Sequence, residues 1–397
     1  MLKRKQFMKG PMRLVRSEKI SKYKNLRPIY EWSKGKAYLF VDQVKYAGKV
    51  GSILYYFNPP VHQVGNVELD AYLAGLDRVF DKRDQLGFLI LYGSNDPAHA
   101  GADLKEILNR LDRTLETQKE KDIFFEWVDN RLKKGISLHA YLRKIAKNMR
   151  VAAVCGGGTR FGASAEIPLM CDYLIGDSRS AMCFSEALIG LIPGLSGIAR
   201  ALIKAGPTNA EFMAKTSRVI KADQLKNIGI YNLVVNTPFP LPERQKTNDP
   251  EAGKIKYQKA LEINNYDTGL LLLPKGFELC TCQEEEIPKV NEKKRLVLAT
   301  KEEILLETAK RKAPENYSHL WGKNLKDVKE DIIMLGRPLA PQSVDAINSL
   351  FECYEPTKFD EIQFVKREME ADASLYRDPR FRAGLIGTLK QRVVDFR

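Results

Sequence analysis

Two glutamates, Glu166 and Glu186, lie twenty residues apart in SAEIPLMCDYLIGDSRSAMCFSEALIGLIPG, each in otherwise apolar surroundings. A carboxylate withdrawn from water without a partner is costly, and hydrated charges are almost never fully buried alone. Two carboxyl groups facing one small volume can divide the work of a proton donor and a proton acceptor. Two segments rich in small residues flank the pair in sequence: AHAGADL (Ala98–Leu104) and GASAE (Gly162–Glu166). Each follows a short apolar run and leads into a helical pattern. The first N–H groups of a helix have no partner within it, and small side chains let a ligand oxygen approach them. Two such loops side by side would hold a developing oxyanion.

Those groups need a scaffold of buried strands and covering helices. KAYLFVDQVKYAGKVGSILYYFNPP reads as two strands, and VELDAYLAGLDRVFDKRD as a helix with Leu69, Leu73, Leu76, Val79 and Phe80 on one side. GFLILYG, VAAVCGG and DYLIGD are short apolar runs of the kind covered on both faces. Residues 107–148 read as helical and highly charged, Glu166–Met170 as opening a helix, and the stretch from Phe184 as a loop followed by a helix. The alternation over residues 37–237 predicts an α/β domain with mainly parallel strands. Residues 238–340 break the rhythm with a polar, Pro-rich stretch and are expected to be an inserted, partly irregular segment. Helical periodicity returns in residues 341–397.

The chain has 397 residues, 44% of them hydrophobic and 29% charged, which suits a globular protein rather than a disordered one. The net charge of +14 comes from 64 Lys and Arg against 50 Asp and Glu. Because the basic residues alternate with acidic ones, as in RLDRTLETQKEKD, no phosphate-tracking patch is expected, and hence no nucleic acid partner. A phosphate-rich small molecule stays open. No apolar run is long enough to span a bilayer, so no membrane partner is expected. The basic amino terminus lacks an apolar core of the secretory kind, and a solvated tail and a cytoplasmic location are expected. Six cysteines, mostly in apolar segments, read as reduced thiols, and Cys280-x-Cys282 has no second ligand pair nearby to make a metal site. His99 reads as a hydrogen-bonded loop histidine and Asp103 as a helix cap.

Four blocks carry a resemblance: AHAGADLKE, VAAVCGGGTRFGASAEIPLMCDYLI, CFSEALIGLIPGLSGIAR and SRVIKADQLKNIGIYNLVV. In order and spacing they resemble the signature blocks of the crotonase superfamily, which includes enoyl-CoA hydratases and isomerases. The resemblance covers roughly residues 48–237 and a helical piece from about 341. It implies a spiral ββα core (37–237), an N-terminal extension (1–36), a large insertion (238–340) and a helical C-terminal oligomerisation region (341–397). It also implies an acyl-CoA thioester as substrate, with CoA part of that substrate and no separate cofactor, and a homotrimer or dimer of trimers.

Residue by residue, the resemblance puts the acid–base pair on Glu166 and Glu186 and the oxyanion hole on the backbone N–H groups of Ala102 and Ala163. Lys105 and Ala100 fall at CoA-binding positions. The second loop departs from the family pattern: it is about two residues longer and has Gly-Ala-Ser where a triple glycine is common, while Gly156–Gly158 comes too early. The activities implied are hydration of an enoyl-CoA, double-bond isomerisation, or ring-opening C–C hydrolysis of a cyclic β-oxoacyl-CoA. A non-catalytic CoA-binding or assembly subunit is the alternative of another class, against which the retention of both glutamates argues.

Overall fold

A computed structural model of the chain describes residues 28–93, 98–113, 117–237 and 272–397, with Asp249, Ala252 and Ile255 between the last two stretches. The basic amino terminus and most of the Pro-rich stretch, on which two of the expectations above fall, lie outside the described residues.

Eleven strands among these form two sheets: β1 Pro28–Lys34, β2 Ala37–Tyr46, β3 Lys49–Phe57, β4 Phe88–Gly93, β5 Ala98–His99, β6 Arg150–Cys155, β7 Thr159–Phe161, β8 Tyr173–Asp177, β9 Ala181–Cys183, β10 Ile220–Lys221 and β11 Leu233–Val235. The larger sheet runs β1-β2-β3-β4-β6-β8-β11 and the smaller β10-β9-β7-β5. From β3 to β11 the larger sheet is parallel, as the apolar runs predict, while β1, β2 and β3 pair antiparallel. Strand β1 extends the sheet from within the segment read as an N-terminal extension.

Thirteen helices complete the described chain. The first seven are α1 Asn66–Asp81, α2 Leu104–Arg113, α3 Gln118–Ala146, α4 Ala163–Leu169, α5 Gly197–Ala205, α6 Pro207–Thr216 and α7 Ala222–Asn227. Beyond residue 271 come α8 Leu272–Thr281, α9 Lys301–Lys312, α10 Lys329–Leu335, α11 Pro341–Glu352, α12 Glu361–Leu375 and α13 Pro379–Leu389. None is long and apolar enough to cross a membrane.

The chain repeats one unit: a strand in the large sheet, a strand in the small sheet, then a helix. Thus β4 leads to β5 and α2, β6 to β7 and α4, and β8 to β9 and, through a 3-10 turn at Glu186–Leu188, α5. The spiral ββα order expected from the blocks is the observed one. Helices α1 and α3 pack on one face of the large sheet, where Leu69, Leu76, Val128 and Leu142 share a core with Leu54, Leu89 and Val151. On the other face, Leu273, Phe277 and Cys280 of α8 pack against Phe88, Ile90 and Val154. The Phe277 ring stacks on Tyr46 with centroids 5.1 Å apart. Strands covered on both faces must be apolar throughout, which is why β4 and β6 show no polar alternation. The described part of the expected insertion therefore holds regular helix and closes the outer core. All six cysteines are free, and the described residues hold no group of three or more metal-ligating side chains.

Candidate active site

The register of the small sheet brings three distant segments together. In parallel pairing, His99 lies opposite Arg160 and Phe161 opposite Cys183. Each strand then ends at the same level, so that the 100–102, 162–163 and 184–186 segments emerge side by side. Gly162 N–H donates to the Cys183 carbonyl at 3.0 Å, and the Ser164 hydroxyl donates to the Ala100 carbonyl. The contact is close enough to demand glycine: a Cβ on Gly101 would stand 2.7 Å from the Phe161 carbonyl oxygen and 2.9 Å from Ala163 N. Gly162 has a φ of +50°, and a Cβ there would also come within 2.7 Å of Glu186 Oε1. The Gly156–Gly158 run connects β6 to β7, so the lengthened loop is absorbed before the helix begins.

Helix α4 starts at Ala163 and not at Glu166, as the sequence suggested, because the turn at Gly162 sets the helix going three residues earlier. The Ala163 N–H is consequently at the open helix end, and among the described residues neither it nor the Ala102 N–H has an acceptor. Both residues, with Ala100, line a cavity of about 270 Å³ that also contains Glu166 and Glu186. Lys105 is exposed on the first turn of α2 and outside the cavity lining. Asp103 caps that helix, its Oδ1 accepting from the N–H groups of Lys105 and Glu106 at 3.1 Å. His99 is buried away from the carboxylates, its ring 4.9 Å from that of His62.

The two glutamates are buried differently. Glu166 Oε1 accepts the N–H groups of Leu195 at 2.9 Å and Gly197 at 3.1 Å. Burial pushes this carboxyl up to about 7 against the opposing pull of those two donors. Glu186 Oε2 is buried with no hydrogen-bond partner. Burial first, and then the Glu166 charge, hold Glu186 well above the usual carboxylate range. Two carboxyls in one low-dielectric volume cannot both ionise cheaply, so around neutral pH the pair retains a proton.

Two further carboxyls reach the same loop from α12 and were not among the sequence candidates. Asp372 Oδ1 accepts from Ile192 N–H at 3.1 Å, and Glu368 accepts from Ile198 N–H at 2.7 Å and Ala199 N–H at 3.3 Å. Burial raises both well above the usual range, with the Glu166 charge adding to it. Residues 192–199 are thus clamped by three buried acids, of which Asp372 and Glu166 also line the cavity. Arg131 of α3, 3% exposed, lines it as well. A sequence signal existed for all three: each interrupts an apolar helical stripe, Phe124-Val128-Arg131-Leu132-Gly135 in one case and Phe364-Val365-Glu368-Asp372-Leu375 in the other.

The comparisons agree with this architecture. A family model described as enoyl-CoA hydratase/isomerase matches residues 73–239. A probable enoyl-CoA hydratase of Rhizobium meliloti is 28% identical over 168 residues, covering 42% of this chain and 57% of that protein. A probable mitochondrial enoyl-CoA hydratase of Dictyostelium discoideum is 28% identical over 169 residues, covering 43% and 54%. The chain spans a little over half the length of these curated relatives. A crystal structure of an enoyl-CoA hydratase from Rhodobacter sphaeroides shares the fold, with a TM-score of 0.51 at 12% identity over 85% of this chain and 86% of that one. Over residues 73–239 the chain is thus similar to the enoyl-CoA hydratase/isomerase family.

Proposed function

We propose that the protein hydrates an enoyl-CoA through an enolate held by the Ala102 and Ala163 N–H groups. The observation that carries this reading is the meeting, in one cavity, of two unacceptored N–H groups and two buried carboxyls of different environment. The thioester oxygen lies between the two N–H groups, and charge that develops on it is stabilised in a site shielded from water. Glu166, whose two N–H donors favour the carboxylate, is the base that takes a proton from water as the oxygen attacks Cβ. Glu186, which lacks such donors, holds the proton and delivers it to Cα. Both carboxyls are restored by one proton exchange between them in the reverse sense. Ala100 and Lys105 lie on the side from which the nucleotide end of CoA enters, Lys105 meeting its phosphates.

Supplied with a suitable enoyl-CoA, the enzyme is expected to yield a product heavier by one water, with no new titratable carboxyl, that reverts when given pure. An unchanged mass would replace hydration by isomerisation. A second reading, ring-opening hydrolysis of a cyclic β-oxoacyl-CoA, draws support from Asp372, a third cavity carboxyl that hydration does not need. It requires a product with an added carboxylic acid and no measurable return. For a non-catalytic CoA-binding subunit, CoA thioesters would bind and remain intact.

We also propose that the chain assembles as a homotrimer or dimer of trimers in the cytoplasm. Exposed apolar side chains support assembly: Ile362 on α12 of the C-terminal region is 63% exposed in the single chain, and Ile333 and Met334 on α10, just before that region, are 65% and 69% exposed. Light scattering that returned a monomer at micromolar concentration would remove this assembly.

A further inference from the structure

Arg131 is a buried cation of the cavity to which the proposed reaction assigns no task. It sits on α3 in line with apolar residues that pack in the core, and its guanidinium turns toward the loop bearing Ala102. Its Nη2 donates to the Val64 carbonyl at 2.9 Å, and Val64 in turn bridges to Ala102 in a short parallel pairing. Its Nη1 is buried with no hydrogen-bond partner. The nearest carboxylate oxygen, Glu106 Oε2, is 3.8 Å away, beyond hydrogen-bond reach, and already accepts the Asn66 N–H at 3.1 Å. A buried, charged donor left unsatisfied is costly, and its retention calls for an acceptor that arrives from outside the chain.

The remaining cavity groups narrow the chemistry of that acceptor. Leu104, Leu132, Ile189 and Leu191 give an apolar wall for a hydrocarbon frame. The guanidinium charge is already opposed by Glu106 at 3.8 Å, and Asp372 shares the cavity. A neutral oxygen satisfies Nη1 without changing the charge of an enclosure that already holds Glu166, Glu186 and Asp372 beside the cations Arg131 and Arg337. We infer that the acyl group of the substrate carries an oxo or hydroxyl oxygen beyond the reacting carbons, received by Arg131 Nη1, so that Arg131 determines specificity for an oxygenated acyl-CoA over a plain hydrocarbon one. This rests on the acyl-CoA reading of the cavity and deepens it.

Binding of saturated CoA thioesters tests the inference without requiring the true substrate. Calorimetry on the full chain would compare straight-chain acyl-CoAs with analogues of equal length bearing an oxo group at C4, C5 or C6, positions that do not form the thioester-conjugated enolate. One oxo position is expected to bind about 10–100-fold tighter than its hydrocarbon counterpart, the range for a hydrogen bond to a charged group. Arg131→Met should abolish that preference, so that oxo and hydrocarbon chains of equal length bind the variant with the same affinity. Because Arg131 also holds Val64, a melting curve accompanies the variant, and the wild-type ratio stands as a test without it. Equal binding of all oxo and hydrocarbon chains would overturn the inference alone. A dicarboxylic mono-thioester binding tighter than every oxo analogue would overturn the neutral acceptor. If no CoA thioester of any kind bound, the underlying acyl-CoA reading would fail instead.

Discussion

The cavity has two walls made in different ways. One consists of short turns that leave the small sheet together and supply Ala102, Ala163, Glu166 and Glu186 within a few residues of buried strands. The other consists of long helices, α3 and α12, that bring Arg131 and Asp372 from far along the chain. On the first wall position is set by strand register and by glycines too close to bear a side chain. On the second, position is set by helical periodicity, and the polar groups reach the cavity only because their stripe is packed against the core. Under the proposed function the first wall does proton chemistry, and the second orders the loop and receives the acyl group.

Substituting the acids of the first wall should produce the largest effect. Glu166→Gln and Glu186→Gln preserve shape but remove proton transfer, and each is expected to lower kcat by about 10²–10⁴-fold. Because the two act on one transition state, the double variant should lose less than the product of the single losses. A single variant with full kcat on the authentic substrate would clear that residue of the role. Asp372→Asn, on the second wall, should instead cost about 10-fold or less, since Ile192 N–H retains an acceptor. An equal loss at Asp372 would erase the distinction between the walls and favour the ring-opening reading.

A second effect belongs to the buried acids as a group. Glu166, Glu186, Glu368 and Asp372 all have folded pKa values above their ordinary ones, so the folded chain keeps protons that the unfolded chain releases from about pH 4 to 5 upward. Their contribution to stability is complete below that range and is lost as pH rises through the folded values. For Glu166, raised from 4.5 to about 7, the loss across that interval is about 3 kcal/mol. The melting temperature should therefore decline from pH 5 to pH 8, and Glu368→Gln should make the decline shallower. A melting temperature that climbed over this range in the wild type would contradict the burial of these acids as charged-form penalties.

How much of this was legible in the sequence differs between the walls for the same reason. Turns at the ends of buried strands leave local marks: an apolar run, small residues, then a helix. Ala102, Ala163, Glu166 and Glu186 could be picked out from such marks and from the four blocks. The parallel sheet followed from apolar runs spaced by helices, and the spiral order from the resemblance that the four blocks carry. Arg131 and Asp372 lie in heavily charged segments, EWVDNRLKKG and REMEADASLYRD, where one ion among many does not announce that it is buried. Only the phase of the surrounding apolar residues marks them. The helices beyond residue 271 were obscured by a Pro-rich approach, yet α8 packs on one sheet face across β4, β6 and β8 because LLPKGFELC places Leu273, Phe277 and Cys280 on one side. The start of α4 was misjudged by three residues because the backbone at Gly162, and not the charge at Glu166, nucleates it.

Glycine substitution sharpens the account of the first wall at smaller cost. Gly162→Ala meets a positive φ and a carboxylate oxygen at 2.7 Å, so either the turn relaxes or Glu186 moves. A non-glycine residue held at φ +50° and ψ −129° costs about 1–3 kcal/mol in backbone strain alone. We expect a fall in stability of that order and a loss of kcat that exceeds any change in KM, because Glu186 and Ala163 N–H shift together. A variant with normal kcat would show that register, and not this glycine, fixes the pair.

The smallest effect is expected at the rim, where the two walls meet solvent. Lys105 is exposed on the first turn of α2, one residue beyond the cavity-lining Leu104. An exposed charge acting on a phosphate gains little, in the range of about 0.2–1 kcal/mol, and salt screens it over roughly 10 Å at 0.1 M ionic strength. Lys105→Ala should therefore weaken binding of a CoA thioester by about 2–5-fold at low salt and by less at high salt, leaving kcat at saturation unchanged. Arg131→Met should do the reverse in kind: its effect depends on the acyl group, and salt does not screen it because the guanidinium is enclosed. Titrating both variants with an oxo-acyl-CoA and with free CoA at two salt concentrations separates the walls cleanly. Loss of free-CoA affinity in Arg131→Met, or acyl-dependent loss in Lys105→Ala, would mean that nucleotide and acyl ends enter this cavity in the opposite sense.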